Sequence, residues 1–189
     1  IIRWGKRENF KMRKSFLICL FFISAFIFSS CSAANDAATA IQAQGREYGE
    51  TFELNDGDTM STAFFDMTVN SAKIASEIDG YVPNNDTDTF LIVNITVNNT
   101  FDSDDPIPMS DADFELGYNG ADESSTIFPE SEFASDQLPS EYQIEKDGSV
   151  TGNLIYVVPS DADNFRIYYY DLWDDDFEGN KYWLPFSVN

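Results

Sequence analysis

The chain contains no histidine, and only two cysteines among its 189 residues. Without histidine it lacks the commonest general base and the commonest metal ligand. Ser-His-Asp and Cys-His nucleophilic arrangements are therefore excluded, and zinc would have to be held without imidazole. Positive charge is equally scarce, with 11 Lys and Arg against 33 Asp and Glu. Six of those basic residues fall within the first fourteen positions. From Cys31 onward, 32 acidic and five basic residues leave a net charge of −27. Such a field repels nucleic acid and anionic membrane surfaces alike. No Gly-x-x-x-x-Gly-Lys loop and no Gly-x-Gly-x-x-Gly turn is present, so nucleotide binding has no motif to rest on.

Against these absences stand 43% hydrophobic and 15% aromatic residues, too rich a composition for a disordered chain. One apolar run is long, from Phe16 to Phe28, and Lys11, Arg13 and Lys14 precede it. As a helix its thirteen residues span about 20 Å, short of the roughly 30 Å hydrocarbon core of a bilayer. A basic flank, a short apolar core and small residues after it describe a secretory signal peptide over residues 12–30. Met12 reads as the translational start, with residues 1–11 as upstream-translated leader. The sequence Phe28-Ser-Ser-Cys31 resembles the bacterial lipobox, with Phe28 standing where Leu, Val or Ile is preferred. That resemblance implies cleavage before Cys31 and a diacylglyceryl group on its sulfur, and hence an exported protein anchored to the outer face of the bacterial cell membrane. The other readings of the segment are a plain signal anchor or a cleaved peptide without lipid. Cleavage also removes Cys19, so the mature chain has no thiol for a disulfide and rests on its hydrophobic core.

Residues 31–47 are small and polar, with Ile41 the single large apolar side chain. They cannot bury enough surface to offset the entropy of ordering, and read as a flexible linker. Folded sequence begins near Tyr48 and runs to residue 189. There the hydrophobic period is two, not 3.6. Ala63, Phe65, Met67 and Val69 alternate with polar residues, as do Leu91, Val93, Ile95 and Val97. Val150, Leu154, Tyr156 and Val158 repeat the pattern, and so do Phe165, Ile167 and Tyr169. Turn clusters such as Asn55-Asp-Gly57, Asn84-Asn-Asp86 and Asp147-Gly148 bound these segments. Ser71–Glu77 is the one stretch that suits a helical turn, and Glu178-Gly-Asn180 suits a tight turn. About seven or eight strands with one buried face predict an all-β fold, a two-sheet antiparallel sandwich.

Three segments carry a resemblance. They are Thr59-Met-Ser-Thr-Ala-Phe-Phe-Asp-Met-Thr-Val-Asn70, Phe90-Leu-Ile-Val-Asn-Ile-Thr-Val-Asn-Asn99 and Gly148-Ser-Val-Thr-Gly-Asn-Leu-Ile-Tyr-Val-Val-Pro159. In this order they resemble the exported, telokin-like and immunoglobulin-like family called domain of unknown function 4352, over roughly residues 48–172. The resemblance implies an immunoglobulin-like sandwich presented at the cell surface, and brings no catalytic residues with it.

Carboxylates are what remains for chemistry. A pair could run glycoside hydrolysis, but the separation that reaction needs is not readable from sequence. Clusters could bind calcium through hard oxygens, with Asp86, Asp88, Asp102, Asp104 and Asp105 as candidates. None has the twelve-residue spacing of a calcium-binding loop, and solvated turn residues that keep an exported protein soluble are the favoured reading. Tyr168, Tyr170, Trp173 and Trp183 are candidates for a flat platform that would take a sugar or a protein partner, although alternation also explains half of this aromatic region as core. The function expected is a cell-surface lipoprotein carrying a non-catalytic interaction module. It would need no cofactor, and would engage the membrane through Cys31 and an envelope protein or glycan through its domain. The alternatives are a carbohydrate- or divalent-metal-binding solute module and, beyond that, a carboxylate-dependent hydrolase.

Overall fold

The computed structural model describes residues 49–172 and 178–189. The leader, the signal segment, Cys31, the linker and Trp173 lie outside the described residues.

The longest alternating segments form the centre of one sheet. β3 (Phe65–Ala75), β4 (Asp88–Asn99) and β8 (Ser149–Pro159) pair antiparallel, with the two-residue β2 (Met60–Ser61) beside β3, in the order β2-β3-β4-β8. On β4, Leu91, Val93, Ile95 and Val97 point inward, opposite Tyr156, Leu154, Gly152 and Val150 of β8. A pattern of period two places all of them on one face of the pleat. The second sheet consists of β1 (Thr51–Glu53), β10 (Glu178–Pro185), β9 (Arg166–Leu172) and β6 (Glu115–Gly117), in the order β1-β10-β9-β6. Its pairings are antiparallel except for β1, which lies parallel to β10. β5 (Ile107–Ser110) and β7 (Glu141–Ile144) form a separate antiparallel pair. The ten segments among the described residues exceed the seven or eight expected because the edges include pieces of two or three residues. Such short edges present little backbone to a stray strand.

The sheets meet over a shared core. Phe65 packs edge-on against Tyr169 at 4.8 Å between ring centroids and against Phe114 at 5.8 Å. The Tyr156 hydroxyl, which burial would otherwise leave without a partner, donates to the Phe114 carbonyl at 2.7 Å. Each of these side chains is completely buried, worth roughly 1.5–3 kcal/mol apiece against exposure. At the end of β4, the Asn99 side chain donates to the Ile144 carbonyl at 2.9 Å and accepts from the Phe101 amide at 2.9 Å, fixing β4 to β7.

Two local expectations are corrected. Ser71–Glu77 makes no helical turn, because β3 continues through it, paired with β4 as far as Ala75 opposite Phe90. The register shifts between Val69 and Ser71, so Asn70 is an extra residue that re-aims the strand and keeps Ala72 inward. Glu178-Gly-Asn180 is the start of β10, with a register shift before Lys181, and not a tight turn. Gly179 is required there by close approach, since a Cβ would lie 2.5 Å from the Asp171 Cβ.

Candidate functional site

The outer faces of the two sheets differ. On the β1-β10-β9-β6 face, Trp183 stands opposite Tyr168, with ring centroids 4.6 Å apart, and Lys181 stands opposite Tyr170. The Arg166 guanidinium carbon lies 3.9 Å from the Trp183 ring centroid, a cation–π arrangement. A segment following β6 lies across these rings. Arg166 donates to the Ala121 carbonyl, and the Glu123 carboxylate accepts from the Tyr168 hydroxyl at 2.8 Å and from Lys181 at 3.0 Å. The Tyr168 hydrogen bond first, and then Lys181, hold the Glu123 carboxyl below its ordinary range. Burial first pushes the Tyr168 phenol upward. Trp183 is only 6% exposed, and Gly117 leaves room for its ring, since a Cβ there would meet Cζ3 at 2.9 Å. Of the sequence candidates, Tyr168 and Trp183 are thus brought together but covered. Tyr170 stays half-buried, its ring 5.2 Å from the Lys181 ammonium.

The outer face of β2-β3-β4-β8 carries different chemistry: Phe90, Ile92, Asn153 and Ile155 are buried on it, whereas Asn70, Lys73 and Thr151 stay exposed. Near the start of β4, Phe90 packs against Phe133 at 5.5 Å, and Phe133 against Tyr81 at 5.0 Å. Tyr81 is 54% exposed and its neighbour Val82 62%. Further along, the outward side chains bond to one another across three strands. Asn70 donates to Asn94 Oδ1 and to Thr96 Oγ1, both at 2.9 Å. Asn94 donates to Asn153 Oδ1 at 2.7 Å, and Thr96 and Thr151 share a hydrogen bond of 2.8 Å. Neither Tyr81 nor the amide row was singled out from the sequence. Tyr81 sits in the turn-rich stretch between β3 and β4, and a residue's facing across three strands is set by register. The available signals were an aromatic residue isolated among turn formers and polar residues alternating within the strongest strand.

The calcium candidates are spread over two loops. Asp88 accepts from the Asn85 amide at 2.7 Å and from Thr87 at 3.3 Å, while Asp104 pairs with Lys146 at 2.9 Å. The Lys146 hydrogen bond, then its charge, hold the Asp104 carboxyl below the usual range. Asp86, Asp102 and Asp105 are exposed. Among the described residues no three acidic side chains converge as a cation site would require.

Three other acids are buried among the described residues. Ser110 caps the short 3-10 turn Asp111–Asp113, its hydroxyl accepting from the Ala112 amide while Asp113 accepts from the Ser110 amide. Burial raises both the Asp111 and Asp113 carboxyls. Asp171 on β9 is 1% exposed. It accepts from the Tyr182 hydroxyl at 3.3 Å through Oδ2, and Oδ1 has no well-formed partner among the described residues.

A family model described as "Domain of unknown function (DUF4352)" matches residues 54–180. Among solved structures, a "putative lipoprotein" (ycdA) from Bacillus subtilis superposes with a TM-score of 0.51 at 20% identity, covering 69% of this chain. The chain spans 38% of the length of that protein. The yjhA protein of the same species gives a TM-score of 0.48 at 17% identity, over 70% of this chain and 98% of its own. A Clostridium difficile β-sandwich protein gives 0.40 at 14%, over 74% and 95%. No curated protein matches.

Proposed function

The chain belongs to the DUF4352 family of β-sandwich domains, and from that premise we propose that it is a lipid-anchored, non-catalytic binding module at the outer face of the cell membrane. The observation that carries the binding site is the contrast between the two outer faces. One is closed by Glu123 and Arg166 over its aromatic rings, whereas the other leaves Tyr81 and Val82 exposed beside Phe133. Large apolar side chains left at a surface rimmed by polar groups mark an interaction site more often than they mark core. A non-catalytic role is supported by the lack of histidine and by the position of the buried acids, which lie within the sandwich. The membrane address is supported by the Phe16–Phe28 run and by Cys31 after it, and the similarity to the "putative lipoprotein" ycdA is in keeping with it.

One experiment tests address and site together. A photo-reactive phenylalanine placed at position 81 should cross-link an envelope component in intact cells, and the same group at position 170 should not. With Cys31→Ser, the protein should leave the membrane fraction or persist as uncleaved precursor, because loss of two acyl chains removes stable anchoring. Equal cross-linking from both positions would refute the open face as the site. Wild-type protein found soluble with Ser32 at its N-terminus would refute the anchor.

A further inference from the structure

We propose that the open face of β2-β3-β4-β8 binds a neutral oligosaccharide, stacked on Tyr81 and hydrogen-bonded along the row of Asn70, Asn94 and Thr151; this rests on the open face being the binding site. A sugar ring presents an apolar C–H face and a rim of hydroxyls, each both donor and acceptor. The face offers matching groups in that order. Tyr81 supplies an aromatic surface, backed by Phe133 at 5.0 Å so that it need not be ordered on binding. Primary amides and hydroxyls supply donors and acceptors in one group, as sugar hydroxyls require.

The row is also preset. Asn94 is fixed by Asn70 on one side and Asn153 on the other, and Thr96 by Asn70 and Thr151. Rotamers already held cost little further entropy when a ligand docks. The row is not saturated, since the Asn70 amide spends its donors on Asn94 and Thr96 and its Oδ1 accepts nothing among the described residues. Phe90 and Asn94 stand four positions apart on β4, about 13 Å of strand with the buried Ile92 between them, and the row crosses three strands, about 10 Å. That is the length of a short oligosaccharide.

Charge and area choose the ligand class. Every member of the row and both rings are neutral, and against the net charge of −27 carried from Cys31 onward the single exposed Lys73 beside Ile92 counts for little, so an anionic glycan would be repelled. A protein partner would need about 800 Å² on this side, whereas two half-exposed apolar side chains supply on the order of 200 Å². The shortfall is made of amides and hydroxyls, which favours a polyhydroxylated ligand.

The test is calorimetric titration of the full chain in detergent with β-1,4-linked hexasaccharides of glucose and of N-acetylglucosamine, with an oligogalacturonate of the same length as the anionic control. At least one neutral glycan should bind, and the anionic one should not. Tyr81→Ala and Asn70→Ala should each weaken binding about tenfold while leaving the melting temperature within about 2 °C, because both side chains are exposed. Trp183 on the closed face provides no contact, so Lys181→Gln beside it should leave affinity unchanged. Binding of neither glycan, or binding indifferent to Tyr81→Ala, would overturn the proposal. Cross-linking of a protein from position 81 without glycan binding would overturn the glycan and leave the open face standing; loss of cross-linking from position 81 as well would remove both.

Discussion

Asp171 is the residue whose chemistry sits worst with its place. Its carboxyl is buried, with Tyr182 as the one well-formed hydrogen-bond donor to it among the described residues. Tyr169 lies beside it with a buried hydroxyl that has no well-formed partner among the described residues. Burial pushes the Asp171 pKa up to about 7, and the Tyr182 hydroxyl and the amides of Ala63 and Asn180 offset only part of this. The sign follows from proton counting. Between about pH 4 and pH 7 the folded chain holds a proton here that the unfolded chain has lost, so stability falls as pH rises through that window and is flat above it. The slope is about 1.4 kcal/mol per pH unit. Asp171→Asn keeps the shape and removes the titration, so urea midpoints should show the variant gaining on the wild type from pH 5 to pH 7. Asp111 and Asp113 are raised in both proteins and cancel in the difference. An unchanged difference across that range would mean that Asp171 ionises freely in the folded state.

Among the elements, β8 shows how a short sequence motif serves packing. Its outer edge is occupied by the chain from Glu130 to Leu138, which exchanges backbone hydrogen bonds with Ile155 and Asn153. Leu138 then folds over Gly152, where a Cβ would meet the leucine Cδ2 at 2.6 Å. The second glycine of Gly148-Ser-Val-Thr-Gly152 is therefore space for Leu138. Gly152→Ala should cost about 1–3 kcal/mol by overpacking, and Leu138→Ala about 2–5 kcal/mol by leaving a cavity. Combined, they should cost less than the sum of the two, because each relieves the other's misfit. Strict additivity in denaturant unfolding would show that the two residues do not share the space. The strand alternation of β4 and β8 was legible because one buried face imposes period two. The cover over β8 was not, since a segment pairing irregularly along an edge has no period. Nor was the parallel addition of β1 to β10, which joins residues at opposite ends of the domain. At the candidate site, Tyr168 and Trp183 were legible as a pair, but their covering by Glu123 depends on a contact 45 residues away in sequence.

For the whole molecule the governing quantity is charge. Three of the basic residues among those described are engaged by acids, Lys146 with Asp104, Arg166 with Glu53 at 3.6 Å and Lys181 with Glu123. These exposed pairs add little stability and leave the net excess of carboxylates in place. Any added salt should therefore stabilise the fold somewhat, although screening already acts over about 8 Å at physiological ionic strength. A calcium site of the weak extracellular kind would do more. With a dissociation constant of about 1 mM and about 10 mM calcium, mass action adds roughly 1.4 kcal/mol, a rise of about 3–6 °C in melting temperature. Asp88 is already bonded to Asn85 and Thr87, and Asp104 to Lys146, so neither acidic loop presents a free set of oxygens. Calcium and magnesium should consequently raise the melting temperature alike, within about 2 °C, at matched ionic strength. A rise specific to calcium and abolished by Asp86→Asn with Asp88→Asn, or by replacing Asp102, Asp104 and Asp105, would place the protein among metal-dependent binding modules. Screening makes no distinction between cations of equal charge, whereas a coordination shell of six to eight oxygens does, so the comparison separates the two causes whatever the absolute shift.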